Sequence, residues 1–159
     1  MKTTDDFFNE IRNGNFEGVH TMLVANPDLL HLKDQRGSSA LILATYYDHG
    51  DVVELLLERG AKIDDTDASG NTALMGVCFK GYTGLAEKLI EKGANVNVRN
   101  AMGATALIYA ATFNRMEIAK LLLAKGADTS TKDGRGNTAL DHAKLQGAPG
   151  LIDLLEGHS

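Results

Sequence analysis

One interval of 33 residues recurs along almost the whole chain. Glycine and leucine both return at that spacing, at Gly37, Gly70, Gly103 and Gly136 and at Leu41, Leu74, Leu107 and Leu140. The five-residue segments GNTAL, GATAL and GNTAL begin at the last three of these glycines. Self-similarity with a fixed period indicates an array of stacked units, each of which buries its apolar face against its neighbours. Every other residue is therefore interpreted by its position within the repeat.

The unit at residues 67–99 predicts the structure of one repeat. Its opening DASG is typical of a tight turn, and Thr72 then occupies the place of a helix N-cap. Apolar residues with helical spacing follow as far as Lys80, and Gly81 is suited to the left-handed conformation that ends a helix. A second amphipathic helix is predicted at about residues 83–92. Each repeat thus contains two antiparallel helices and a projecting turn.

The residue that reverses the chain between the two helices supports this assignment. Glycine, asparagine and aspartate are the residues that best tolerate the left-handed conformation. Residues of these three types occupy the positions equivalent to Gly81 in the other repeats, namely Asn15, Asp48, Asn114 and Gly147. We therefore expect a left-handed residue at each of these positions.

The unit D-x-x-G-x-T-A-L, followed by a reversal and by LLLERGA, KLIEKGA or LLLAKGA, resembles the ankyrin repeat. The resemblance implies an all-α solenoid of five stacked helix-turn-helix repeats with projecting β-turn loops and polar terminal caps. We expect one domain over residues 1–159, with repeats at about 1–33, 34–66, 67–99, 100–132 and 133–159. The family pattern T-P-L-H has Ile42, Met75 and Ile108 at its histidine position, so apolar contacts are expected to replace the hydrogen bonds of that histidine.

The two terminal repeats are predicted to act as caps. In the last repeat, Asp141, Lys144 and Glu156 stand where the other repeats have apolar or small residues, and an unpaired buried charge is very costly. We expect these three side chains to be exposed. The same register places Arg12 and His20 of the first repeat where the other repeats have small or apolar residues, which predicts a polar outer face there as well. Polar faces at both ends indicate a complete protein of five repeats.

Composition argues against several classes of partner. The net charge of -5 and the absence of a run of lysine and arginine argue against nucleic-acid binding. No stretch approaches the ~20 apolar residues of a membrane span. The opening MKTTDDFFNEIRNG lacks the apolar run of a signal peptide, which predicts a cytoplasmic protein, although a trimmed leader would leave the same chain.

Catalytic and metal-binding patterns are weak. The five histidines are scattered, without HExxH spacing or a cluster with cysteine, so we predict a non-enzymatic protein with no cofactor and no metal. The alternative is an enzyme or a metal-dependent regulator that uses His142 with Asp141, or a reactive Cys78. Against it, adjacent residues of a helix do not face each other, and a lone cysteine is usually a small buried residue.

The resemblance implies that a protein partner, of unknown identity, binds the concave surface, which the turn tips and first helices line. The chain has only four tyrosines and five phenylalanines, and several of them fall at these positions. Aromatic residues and methionine are typical anchors of protein interfaces. The predicted partner-binding residues are Arg36, Tyr46, Tyr47, Phe79, Lys80, Met102, Phe113 and Arg135. We expect a protein that is monomeric when free and that inhibits or tethers its partner; the alternative for the rings is packing beneath the neighbouring turns.

Overall fold

The structure, a computed structural model, describes residues 3–158, and over that range it contains ten α-helices, one 3-10 helix and no β-strand. The helices are α1 (Thr3–Arg12), α2 (Phe16–Ala25), α3 (Ala40–Tyr46), α4 (Gly50–Glu58), α5 (Ala73–Lys80), α6 (Thr83–Glu91), α7 (Ala106–Thr112), α8 (Met116–Ala124), α9 (Ala139–Gln146) and α10 (Pro149–Glu156). The 3-10 helix (Pro27–His31) follows α2. The predicted all-α repeat architecture is confirmed. No helix in this range is long and apolar enough to cross a membrane.

Short capped helices are the local element of the repeat. Ser39, Thr72, Thr105 and Thr138 each accept a hydrogen bond of 3.2 Å from the backbone N–H three residues later. Each bond satisfies one of the N–H groups that a helix start leaves without a partner. The predicted ends of the two helices in the third repeat agree with the structure to within a residue, and Gly81 has φ of 80°.

The first helices of successive repeats form a continuous stack. Helices α1, α3, α5, α7 and α9 each pack on the next, and the second helix of each repeat packs against its own first helix. The leucine at the 33-residue spacing is at most 2% exposed in the three interior repeats. Helices of seven to ten residues are marginal alone, so this shared core is what stabilises them.

The projecting turns are held by one recurrent interaction. Asp34, Asp67, Asn100 and Asp133 each accept, through Oδ1, hydrogen bonds from the backbone N–H groups two and four residues later. The turns of the last three repeats are also joined, since the N–H of Ala101 donates to the carbonyl of Ser69 at 3.0 Å and that of Gly134 to the carbonyl of Met102 at 2.8 Å. These three turn tips are therefore ordered relative to one another.

The first repeat departs from the 33-residue register. Gly14 has φ of 70° and reverses the chain, whereas Asn15, predicted to be left-handed, has φ of -80° and caps α2. The prediction for Asn15 is wrong because α2 has ten residues and α4 has nine, so equivalent positions at this reversal lie 34 residues apart.

The same displacement overturns the prediction that Arg12 and His20 form a polar outer face of the first repeat. Ile11 and Val19, both fully buried, take the places that the 33-residue spacing assigned to Arg12 and His20. Arg12 and His20 are only partly buried. The argument for a polar N-terminal cap from those two residues is therefore wrong.

Two of the three charged side chains predicted to be exposed in the last repeat are exposed, and the third is not. Lys144 and Glu156 are exposed. Asp141 is half-buried instead, because its carboxylate accepts a hydrogen bond of 2.9 Å from the N–H of Thr138 and completes a capping box. That hydrogen bond is the main reason why the pKa of Asp141 lies below its usual value.

Candidate protein-binding surface

The eight predicted partner-binding residues lie on one series of turns and first helices. Arg36, Met102 and Arg135 are exposed at turn tips, and Lys80 is half-buried at the end of α5. We define the aromatic stripe as Tyr46, Tyr47, Phe79 and Phe113, which are 40%, 43%, 45% and 37% exposed. Because more than a third of each residue is exposed, none of the four is a core residue. The four rings stand at the C-terminal ends of α3, α5 and α7.

Phe79 and Phe113 form a contact between two repeats. Their ring centroids are 4.9 Å apart and the planes are nearly perpendicular, at 89°, which is a favourable edge-to-face geometry. Tyr109 stacks beside Phe113 at 6.3 Å, and its hydroxyl accepts a hydrogen bond of 2.9 Å from the Asn100 side chain. A polar contact near the turn thus supports the exposed rings.

The backbone beneath Phe79 is held by the next repeat. Arg115 donates from Nη2 to the carbonyl of Phe79 at 2.8 Å and from Nε to that of Cys78 at 3.2 Å. His49 contacts the carbonyl of Arg12 at 2.8 Å through Nε2 in the corresponding place between the first two repeats. Sequence reasoning missed both residues; the only signal was a long polar side chain directly after the left-handed residue.

Tyr46 and Tyr47 form the second part of the stripe. Their centroids are 5.3 Å apart in an edge-to-face arrangement. The Lys80 ammonium nitrogen lies 4.4 Å from the centroid of Tyr46, within the range of a cation–π interaction, and 6.0 Å from that of Tyr82. Lys80 therefore joins the second and third repeats and places a positive charge beside the stripe.

An open cavity of about 580 Å³ lies next to Tyr47. Its apolar lining comes from Phe8, Leu43 and Tyr47, and its basic lining from Arg12, Lys33 and Arg36. Asp5 and Asp34 also line it. Sequence reasoning identified Arg36 and Tyr47 but missed the cavity, because its wall includes α1, whose register the repeat spacing misplaces.

His142 of the last repeat is paired differently from the predicted alternative. His142 Nε2 lies 2.7 Å from Asp133 Oδ2, whereas Asp141 belongs to the capping box. Burial raises the pKa of Asp133, but the hydrogen bond from His142 and those from the turn outweigh it, so the pKa is lowered. Asn100 and Tyr109 occupy the same two positions one repeat earlier. The Asp133–His142 pair therefore connects a turn to its helix, as its counterpart does.

Cys78 is fully buried, and burial raises its pKa to about 12. The thiol is thus protonated at neutral pH and unreactive as a nucleophile. Within residues 3–158, no group of three or more histidine, cysteine, aspartate or glutamate side chains is placed to hold a metal ion. The prediction that Cys78 packs as a small apolar residue is confirmed.

Comparison with models of known protein families gives a match over most of the chain. A family model described as ankyrin repeats in three copies matches residues 8–100 and matches again at residues 77–158. No curated protein matches the chain at a significant level. The two matches together extend from the first repeat to the last.

Proposed function

Because the chain belongs to the ankyrin repeat family, whose repeats are generally protein–protein interaction modules, we propose that it binds a protein partner through the aromatic stripe and the adjacent turn tips. The partner is inhibited or tethered by being bound, and the chain contributes no catalytic step. The bound surface is the concave side that the ankyrin fold builds from its turns and first helices.

The observation that carries the proposal is the exposure of four aromatic rings on three successive repeats. Aromatic residues are enriched at protein interfaces because they supply a large contact area and lose little rotamer freedom. Elsewhere in the described chain the rings are more buried: Phe7 and Phe8 belong to the core, while Phe16, Tyr82 and Tyr109 are half-buried. Exposure of rings is thus concentrated on the stripe.

The stripe is also held in place before any partner arrives. Phe79 and Phe113 support each other, and the Lys80 ammonium lies over Tyr46. Interface side chains that are already ordered lose less conformational entropy on binding, which leaves more of the contact energy as affinity. The turn tips of the last three repeats, which backbone hydrogen bonds join to one another, add an ordered polar rim.

The test separates binding from stability. Tyr47→Ala and Phe113→Ala should each weaken capture of the native partner by at least about tenfold, since loss of an anchor ring typically costs ~2 kcal/mol or more. Thermal unfolding should change little, because the ring contacts that are lost are worth at most about 1.5 kcal/mol and partly exposed residues contribute little else to folding. Capture is measured from the native lysate with quantitative mass spectrometry, on wild type and variants in parallel.

Val24→Ala is the matched control. Val24 is an apolar residue on α2, away from the stripe, and it is 57% exposed. The control should bind the partner like the wild type. If Tyr47→Ala or Phe113→Ala lowered stability and binding together, the rings would be structural. Full retention of binding by both would move the site to the second helices or to other turns.

A further inference from the structure

Charge is distributed unevenly between the two sides of the repeat. The turns and first helices of the last four repeats carry seven basic and five acidic residues, over residues 33–48, 66–81, 99–114 and 132–147. The remainder of the chain carries nine basic and sixteen acidic residues. The proposed binding surface is therefore the positive part of an acidic protein.

Most of the acidic residues in these segments already have partners. The carboxylates of Asp34, Asp67 and Asp133 accept hydrogen bonds from their own turns, and that of Asp141 belongs to a capping box. Asp48 is the exception and is exposed at the end of α3. These carboxylates are thus largely committed to local structure.

The basic residues of the predicted surface are in the opposite situation. Among the residues that the structure describes, the side chains of Arg36, Lys80 and Arg135 form no ion pair or hydrogen bond; the Lys80 ammonium has only its ring contacts. On the second helices, by contrast, Glu54 binds both Lys88 and Lys92. Cations without carboxylates therefore concentrate at the proposed binding surface.

Two of these cations lie beside the stripe. Arg36 and Tyr47 line the same cavity, Tyr47 contacts Tyr46, and the Lys80 ammonium lies over the Tyr46 ring. Anionic groups are attracted to such sites, and apolar side chains gain by covering the neighbouring rings. Charge and apolar surface thus alternate along one path from the cavity to Phe79.

From this arrangement we infer that the partner presents an acidic peptide segment. One aromatic or aliphatic side chain of the segment packs against the aromatic stripe. The carboxylates of the segment lie beside Arg36 and Lys80. The inference rests on the proposed function and specifies the partner class for the same surface. Nucleic acid is disfavoured as the polyanion, because only isolated cations, and no continuous basic stripe, line the path.

The first experiment selects ligands without knowledge of the native partner. A library of random peptides displayed on phage is selected on the full chain, with counter-selection on the Tyr47→Ala/Phe113→Ala double variant. Enriched peptides should carry a net negative charge and at least one aromatic or leucine residue. Neutral or basic peptides that depend on the stripe would overturn the inference but leave the proposed function intact.

The second experiment measures the electrostatic contribution with the most enriched peptide. The Arg36→Gln/Lys80→Gln variant should bind it at least about fivefold more weakly, and the affinity of the wild type should fall as NaCl is raised. Lys62→Gln/Lys125→Gln is the control, since it removes the same charge from two exposed lysines outside the surface. The control should retain wild-type affinity.

Three other outcomes would overturn the inference. Equal weakening by the two double variants would indicate a general effect of net charge. Another outcome concerns a labelled single-stranded DNA oligonucleotide. If it bound the wild type more strongly than the most enriched peptide does, and if Arg36→Gln/Lys80→Gln abolished that binding, nucleic acid would be identified as the ligand. A selection in which no enriched peptide depends on Tyr47 or Phe113 would remove the proposed function as well.

Discussion

The third repeat and the last repeat share a register but differ in what surrounds them. Met75 and Cys78 of the third repeat are buried between neighbouring helices, whereas Asp141 and Lys144, at the same positions of the last repeat, are half-buried and exposed. In the described structure, α7 packs on α5, while no later first helix packs on α9. The comparison shows that the neighbouring repeat, rather than the position within a repeat, decides what a residue must be.

A second difference lies between the fourth repeat and the last repeat. It concerns the side-chain contact that links the turn of each repeat to its first helix. Asn100 and Tyr109 form this link in the fourth repeat, and Asp133 and His142 form it in the last. The first pair joins an amide to a hydroxyl group, whereas the second contains the Asp133 carboxylate, whose pKa is lowered in the folded chain. The same connection is therefore insensitive to acid in one repeat and sensitive in the other.

Changing the charge at two equivalent positions, of which one is buried and one exposed, should give the largest contrast in stability. Cys78→Lys buries an unpaired ammonium group between helices and should lower the free energy of unfolding by at least about 3 kcal/mol, or prevent folding. Lys144→Ala, at the exposed equivalent, should change it by less than about 0.5 kcal/mol. Chemical denaturation followed by circular dichroism gives both values, and similar losses would mean that the two positions have similar environments.

The turn glycines give a smaller contrast. Gly103 and Gly136 both have positive φ, 76° and 84°, which valine resists, so either change to valine should cost about 1–3 kcal/mol. A Cβ at Gly103 would also lie 3.0 Å from the backbone nitrogen of Gly134, whereas nothing lies within 4 Å of one at Gly136. We expect Gly103→Val to lower the melting temperature more than Gly136→Val. An unchanged melting temperature for Gly103→Val would contradict the assigned register.

The acid-sensitive link should produce the smallest effect. The pKa of Asp133 is lowered in the folded chain, so its contribution is present above the unfolded value of about 3.9 and is lost as pH falls through the folded value. Asp133→Asn should therefore lower the free energy of unfolding at neutral pH by about 0.5–1 kcal/mol. The difference from the wild type should shrink progressively as the pH falls below the unfolded value of about 3.9, as measured by urea denaturation over a pH series.

A double variant tests whether the two links are interchangeable. Asp133→Asn combined with His142→Tyr copies the pair of the fourth repeat into the last. It should recover stability relative to Asp133→Asn and lose the acid dependence of this site. Continued acid dependence equal to that of the wild type would assign the effect to another carboxylate.

Local features of one repeat were accessible from the sequence. The N-cap at Thr72, the left-handed Gly81 and the helix bounds of the third repeat depend on residues at most four positions apart, and they agree with the structure. The exposure of the aromatic stripe was also anticipated, although packing beneath the turns remained an alternative. That alternative depended on how closely adjacent repeats approach, which no single repeat encodes.

Sequence reasoning missed three kinds of feature: contacts that join repeats, contacts between a turn and the helix of the same repeat, and positions that depend on a small change of register. One extra residue in α2 moves the reversal to Gly14 and exchanges Arg12 for Ile11 in the core. The pairing of His142 with Asp133, nine residues away, competes with the adjacent Asp141 and is decided by where the turn lies over the helix. The contacts of Arg115 with the preceding repeat likewise require the stacking distance between helices.

The sequence by itself determined the repeat, its period, its helix N-caps and its turns, because each of these depends on local backbone preferences and on apolar spacing that repeats along the chain. Only the tertiary structure decided which charged groups have partners, how the rings of the stripe contact one another and where the cavity lies. The physical reason is that the energy of a side-chain contact depends on distances of a few ångströms between residues about 33 positions apart. Stacking of the folded repeats sets those distances.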